Sequence, residues 1–338
     1  MRERPAGLRE SELIAALTEV WGVEVRSAEY LPVGAGSYHW SVVDQRGTAR
    51  FVKVDDLGVE DAGRDEAFDR LGGSFATALA LHRHAGLDFV VAPIPTVTGA
   101  VLWRLTARYA VSLFPLVTGT VGGFGPHRAE DRAEMVDLLT ALHRATPAVV
   151  ERAPRADLAL PGRDRLHAAL DDLDREWTGG PYAERTRRLL SIHSSHIERL
   201  LTDLDRLVDQ VRATGAEWVL THGEPHPGNV MRTPAGLRLL DWTTVQIAPP
   251  ERDLWLLTPA IARMLGEEPV DDADDVVARY TRATGRTVTP AGLALYPLWW
   301  KLADIAIFVD ELRRPHGTGE DITASLTYLT GYLESGRD

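Results

Sequence analysis

The spacing of apolar residues divides the chain in two. Near the start, Leu13, Ile14, Leu17 and Trp21 recur at helical intervals behind Ser11, a residue suited to cap the helix they predict. Four short segments follow, Val23–Val25, Ala28–Tyr30, Trp40–Val43 and Ala49–Val54, each rich in β-branched and aromatic residues. Gly34, Gly36 and the turn Asp44-Gln-Arg-Gly47 separate them, as in antiparallel hairpins. A second helix is expected over Phe75–His84, stopping at Gly86, with further strands over Phe89–Val91, Val101–Trp103 and Tyr109–Phe114. Beyond Pro115 the period becomes helical. Arg128–Ala145 carries Met135, Leu138, Leu139 and Leu142 on one face; Arg163–Trp177, Ala183–Leu190 and Ile197–Gly215 continue the pattern. Leu254–Leu265, Val276–Ala283, Leu293–Arg314 and Thr323–Leu333 complete it, and Arg314–Glu320 reads as an exposed loop. The expectation is an α+β chain of two lobes, strand-rich over residues 1–115 and helical over 116–338, with no internal repeat and no low-complexity linker.

One stretch departs from this pattern. Between the apolar runs Trp218–Thr221 and Val230–Met231 lie eight residues dense in Pro, Gly and ionisable groups: His222-Gly-Glu224-Pro-His226-Pro-Gly-Asn229. Rigid scaffolds present chemistry on such loops. Thr233-Pro-Ala-Gly236 is a turn signal that folds Leu237–Leu240 back on Val230–Met231, which brings Asp241 beside Asn229. An amide oxygen next to a carboxylate is a hard-donor pair that suits Mg²⁺, and Glu224 is then free to face a substrate hydroxyl. A competing reading takes His222, Glu224 and His226 as ligands of a metallohydrolase. Pro225 and Pro227 exclude the helix that would put those histidines on one face, but an extended loop leaves convergence open.

Composition narrows the partners. The chain has 338 residues and no cysteine, so disulfides, thiolate nucleophiles and Cys-bound metal are excluded. Forty-nine acidic against 37 basic side chains give a net charge of −12, which disfavours a non-specific nucleic-acid binder and is compatible with a cationic substrate. The N-terminal residues lack an apolar signal core, and no window approaches ~18 uninterrupted apolar residues, so a cytoplasmic protein without a membrane partner is expected. The acidic run Asp271-Asp272-Ala-Asp274-Asp275 reads as a solvated helix start.

The segment His222-Gly-Glu-Pro-His-Pro-Gly-Asn229, followed by Leu239-Leu-Asp-Trp242, resembles the catalytic segment of the aminoglycoside phosphotransferase family, His-Gly-Asp-x-His-x-x-Asn and then Asp-Trp or Asp-Phe. Ala248-Pro-Pro-Glu-Arg-Asp253-Leu, Leu31-Pro-Val-Gly-Ala-Gly-Ser37 and Phe51-Val-Lys53-Val are similar to segments of its spectinomycin-type members, and Phe114-Pro115 resembles the hinge. The resemblance spans most of residues 30–310 and implies a bilobal protein-kinase-like fold. It also implies transfer of the γ-phosphate of ATP or GTP, with Mg²⁺, to a hydroxyl of a small antibiotic, giving resistance. The acceptor would be an aminoglycoside, an aminocyclitol or a nucleoside. The alternatives are a kinase of a sugar-like or choline-like metabolite and a non-catalytic nucleotide-binding relative.

Residue by residue, the resemblance implies that Asp241 and Asn229 hold metal and that Glu224 orients the hydroxyl. His222 braces the loop, His226 steadies it or approaches phosphate, and Asp253 ties the segment to the helical lobe. Gly34, Gly36, Ser37 and Lys53 would meet the phosphates, with Phe114 and Leu116 at the nucleotide's rim. Trp300 and Asp304 would line the acceptor site; Trp299 and Trp300 diverge on a helix, so either one faces the cleft while the other packs inside or both pack in the core. Two departures stand out. Glu224 replaces the family's Asp, and the helix after Lys53 lacks its usual acid, leaving Glu66 or Asp69 as the lysine's expected partner.

Overall fold

In the computed structural model, residues 1–34, 36–58, 63–268 and 273–334 are described. Helix α1 (Glu10–Trp21) precedes strands β1 (Val25–Leu31), β2 (Ser37–Asp44) and β3 (Ala49–Asp56). Then come α2 (Arg64–Arg83), β4 (Trp103–Arg104) and β5 (Tyr109–Pro115). These strands form one antiparallel sheet in the order β1-β2-β3-β5-β4. Alternation assigns its two faces. Tyr38, Trp40, Val42, Val52, Val54, Val111 and Leu113 form a core under Leu13, Leu17 and Trp21 of α1. On the opposite face, in register across β2, β3 and β5, lie His39, Lys53 and Ser112. That polar row sits on the functional side of the sheet.

The second part begins with β6 (Thr120–Val121) and α3 (Ala129–Arg144), followed by α4 (Arg163–Asp171), α5 (Ala183–Ala213) and β7 (Val219–Thr221). The hairpin β8 (Val230–Thr233) and β9 (Gly236–Leu239) pairs Val230 with Leu239, and β6 joins its outer edge through Thr120–Arg232 and Val121–Met231. Next come β10 (Gln246–Ala248), which pairs with β7, and helices α6 (Glu251–Leu254), α7 (Ala260–Met264), α8 (Ala273–Thr284), α9 (Pro290–Arg313) and α10 (Glu320–Glu334). By length and composition α9 is long and apolar enough to cross a membrane. Here Leu302, Ile305, Val309 and Leu312 place it in the core with Leu190, Ile197, Leu201 and Leu204 of α5.

The fold is the expected α+β arrangement, strand-rich first and helical after, with several differences in detail. Helix α1 is capped not by Ser11 but by Glu12, whose carboxylate accepts from the Arg9 N–H at 3.1 Å. Helix α2 starts eleven residues earlier than predicted and runs through Gly72 and Gly73, because Phe68 and Leu71 pack on the cluster around Phe75. Residues 89–91 form only a bridge, Val90 to Leu239, and of residues 101–103 only Trp103 is in a strand. The two helices predicted within 183–215 are one helix of 31 residues. The segment 254–265 is broken by a 3₁₀ turn at Trp255–Leu257, and α4 stops at Asp171, short of Trp177. Ala35, Asp271 and Asp272 lie outside the described residues.

Candidate active site

Strand β7 is wholly buried and delivers the chain into His222-Gly-Glu224. The start of this loop is held by one carboxylate. Asp253 of α6 accepts from the backbone N–H of His222 (2.9 Å) and Gly223 (2.6 Å), while His143 Nε2 lies 3.0 Å away. Burial opposes ionisation of Asp253, but His143 and the neighbouring cations outweigh it and hold the carboxyl below the usual range. Gly223 has φ +97°, and a Cβ there would strike the Arg252 guanidinium, so only glycine fits. Arg252 is itself buried and donates to Thr221 Oγ1 at 3.0 Å.

His222 joins the loop to the far end of the hairpin. Its Nδ1 accepts from the Glu224 N–H (3.3 Å), so Nε2 carries the proton it gives to the Leu240 carbonyl (2.7 Å). The ring packs edge-on to Trp242 at 4.6 Å, and burial holds its pKa below the usual histidine value. His226 caps the 3₁₀ turn Pro227–Asn229, accepting from the Gly228 N–H at 3.1 Å, and burial lowers its pKa to about 4. Asn229 Nδ2 donates to the Glu224 carbonyl (3.0 Å), which leaves Oδ1 uncommitted among the described residues. The Leu240 N–H donates to the Asn229 carbonyl at 2.9 Å, so the hairpin closes with Asp241 beside Asn229.

Asp241 adopts φ +52°, a left-handed conformation rare outside glycine. Its Oδ1 accepts from Thr243 Oγ1 (2.9 Å) and faces Lys53 Nζ at 3.7 Å. Burial disfavours its charge, yet Lys53 and Thr243 prevail and hold the carboxyl below the usual range. Glu224 shows the opposite balance. Burial, reinforced by the charge of Asp241, pushes it up to about 7 against the pull of Arg252 and Lys53. Two carboxylates in one cleft are thus driven apart in acidity, the pattern expected where one stays ionised and the other exchanges a proton.

The sheet contributes Lys53, which is 4% exposed. Its expected partners are corrected here: Glu66 and Asp69 lie exposed on α2, and Lys53 pairs instead with Asp55 at 2.5 Å. Burial works against the lysine's charge, but Asp241 and Asp55 raise its pKa overall. Ser37 spends its hydroxyl on the same Asp55 (2.7 Å) rather than pointing it along the glycine loop. Gly34 and Gly36 have φ +69° and +80°. Phe114 is buried edge-on to Phe75, and Leu116 is 40% exposed at the end of the sheet.

Across the loop, Trp300 of α9 stacks on Phe124 (5.2 Å between ring centres), and both rings face His226. Asp304, one turn further along α9, accepts from Tyr332 Oη of α10 at 2.8 Å, and burial pushes it up to about 6. Trp299 turns away from this wall and donates to the Ala159 carbonyl at 3.0 Å. Asp55, Phe124, Arg252 and Tyr332 are the members that sequence reasoning missed. Of these, Phe124 and Arg252 carry a local signal, since one stands inside the run Gly122-Gly-Phe-Gly125 and the other inside Ala248-Pro-Pro-Glu-Arg-Asp253.

The donor set fits Mg²⁺. An uncommitted amide oxygen and an ionised carboxylate lie side by side, few enough to leave coordination positions for phosphate and water. The competing metallohydrolase site does not form. Both nitrogens of His222 and Nδ1 of His226 are committed to backbone groups, and among the described residues no three acidic or histidine side chains converge on a metal position.

The family described as "Phosphotransferase enzyme family" matches residues 30–296. Protein StrN of Streptomyces griseus is 28% identical over 271 residues, covering 78% of this chain and 77% of that one. The structure of spectinomycin phosphotransferase APH(9)-Ia with ADP and spectinomycin superposes with a TM-score of 0.71 at 16% identity, over 97% of this chain and 98% of that one. The choline kinase LicA from Streptococcus pneumoniae gives 0.56 at 14%, over 96% and 99%. At these identities the structural likenesses speak to the fold.

Proposed function

Since this chain belongs to the phosphotransferase enzyme family and is a kinase for an alcohol acceptor, we propose that it moves the γ-phosphate of ATP or GTP to a hydroxyl of a small antibiotic, conferring resistance. An aminoglycoside, aminocyclitol or nucleoside is the proposed acceptor, and the cytoplasm the proposed site of action. The observation that carries this reading is the meeting of Lys53, Asp241, Asn229 and Glu224 at one end of the hairpin, with Trp300 and Asp304 opposite.

In this reading Lys53 binds the α- and β-phosphates as a point charge, with the glycine loop above. Asp241 and Asn229 would hold Mg²⁺, which when bound neutralises charge on the β- and γ-phosphates. Glu224 accepts the acceptor's hydroxyl proton as the new O–P bond forms and the bond to the β-phosphate oxygen breaks. A carboxyl near pH 7 is matched to that exchange. His222 and Asp253 fix the loop so that Glu224 needs no reorganisation.

A choline-like acceptor is the second reading, favoured by the aromatic faces of Trp300 and Phe124 beside Asp304, a setting that also suits a quaternary ammonium. A Mg²⁺-dependent ADP- and GDP-release screen over hydroxylated antibiotics, sugars and choline separates the two. Release with an antibiotic supports the first and release with choline the second; nucleotide binding without release to any acceptor would leave a non-catalytic binding protein.

A further inference from the structure

The lysine at the nucleotide site is held by an acid that no motif marks. Lys53 and Asp55 are two apart on β3, so both side chains leave the same face of the strand. Lys53 Nζ meets Asp55 Oδ1 at 2.5 Å, with the side chains 5% and 8% exposed. Across the register, Ser37 stands directly opposite Asp55 and donates to the same oxygen at 2.7 Å. The other oxygen, Oδ2, is buried with no hydrogen-bond partner. Helix α2 faces this cluster with Phe75, whose ring centre lies 6.0 Å from Nζ. The helix offers no carboxylate there.

We propose that Asp55 is the positioning residue for Lys53: from within the same strand it holds the ammonium toward the nucleotide phosphates and, through Ser37, ties that ammonium to the root of the glycine loop. This rests on the kinase reading above. A lysine released from this contact would swing toward Asp241, its other acidic neighbour at 3.7 Å. Asp55 prevents that. Because the anchor and the lysine share a strand, the spacing between them is set by the pleat and not by how α2 packs. The lysine is therefore in place whatever the tilt of α2, and helix movement cannot switch it off.

The experiment compares Asp55→Asn, Asp55→Glu and Ser37→Ala with Glu66→Gln and Asp69→Asn. It measures Mg-ATP affinity by calorimetry, KM for nucleotide and acceptor, kcat, and thermal midpoint. Asp55→Asn is expected to weaken nucleotide affinity and kcat/KM for nucleotide at least about tenfold while the acceptor KM holds. Asp55→Glu should recover part of the loss, Ser37→Ala should show a smaller rise in nucleotide KM, and the two α2 variants should stay within about twofold of wild type. A purely structural role would lower the midpoint and the active fraction and leave the nucleotide KM of the folded enzyme unchanged, which overturns the proposal. So would a loss in Glu66→Gln or Asp69→Asn as large as that in Asp55→Asn. Should Asp55→Asn fail to fold, Asp55→Glu and Ser37→Ala carry the same test, and wild-type nucleotide KM in both overturns it. Wild-type protein that binds no nucleotide would remove the kinase reading itself; wild-type protein that binds, with Asp55→Asn binding equally, removes only the role of Asp55.

Discussion

Lys53 Nζ and Asp241 Oδ1 stand 3.7 Å apart, the amine from strand β3 and the carboxylate from the end of the β8–β9 hairpin. The left-handed backbone at Asp241 tolerates Asn better than most residues, so Asp241→Asn should fold while losing the charge. Turnover should fall by at least about 10²-fold, and nucleotide affinity should stop responding to Mg²⁺. A magnesium titration of nucleotide binding checks this. A variant that keeps wild-type magnesium dependence would take Asp241 out of the metal site.

Glu224 sits near neutrality, so its basic form grows as pH rises through about 7. If it receives the hydroxyl proton, kcat/KM climbs over that range and levels off above it. Glu224→Gln should flatten the limb and cost about 10²- to 10⁴-fold in kcat. Glu224→Asp is the informative companion: the carboxylate remains but is one methylene shorter, and activity at or above wild type would mean the site accepts the more usual acid. Rate profiles from pH 5.5 to 9 report both.

Asp304 provides a stability readout independent of turnover. Its folded carboxyl is raised to about 6, above the ordinary 3.8, chiefly by burial. Between those values the native state holds a proton that the unfolded chain has lost, so this group's contribution to stability falls as pH rises through the window. Asp304→Asn removes the dependence. The thermal midpoint of the variant minus that of wild type should therefore become more positive from pH 4 to pH 7, and a flat difference would contradict the assignment.

Phe124 and Trp300 form one stacked wall beside His226. Phe124 is 39% exposed, free to be covered by a ligand, so Phe124→Ala should raise the acceptor KM severalfold, an aromatic face contributing on the order of 1 kcal/mol to such stacking. Nucleotide KM should not move. Equal changes in both constants would mean that the ring supports the loop rather than the acceptor.

The most legible part of the chain was the hairpin. Pro and Gly mark its turn, apolar runs mark its strands, and polar chemistry is confined to its ends, so Asn229 and Asp241 could be paired from spacing alone. Helices were less legible where local composition and packing disagree. Ser191–His196 interrupts the apolar repeat of α5, yet His193 turns inward and the helix continues. Gly72-Gly73 looks like a break in α2, but tertiary contacts through Phe68 and Leu71 carry the helix across it. The lysine's partner was missed for a different reason. The expected strand stopped at Val54, one residue short of Asp55, and its extension to Asp56 with Ser37 in register is what places the acid beside Lys53.

Strand β6 and the residues after it run along the hairpin as a fixed rail. The Gly122 N–H donates to the Pro227 carbonyl at 3.0 Å, and a Cβ on Gly122 would come within 2.7 Å of the Pro227 ring. Gly119 is pressed against the Arg232 backbone in the same way. Exchanging the side chain at Phe124, or that of Trp300 facing it from α9, would then alter the wall beside His226 while the rail itself stays put. If the proposed acceptor site is right, a library at those two positions changes acceptor use while the hairpin and its bound rail keep their geometry.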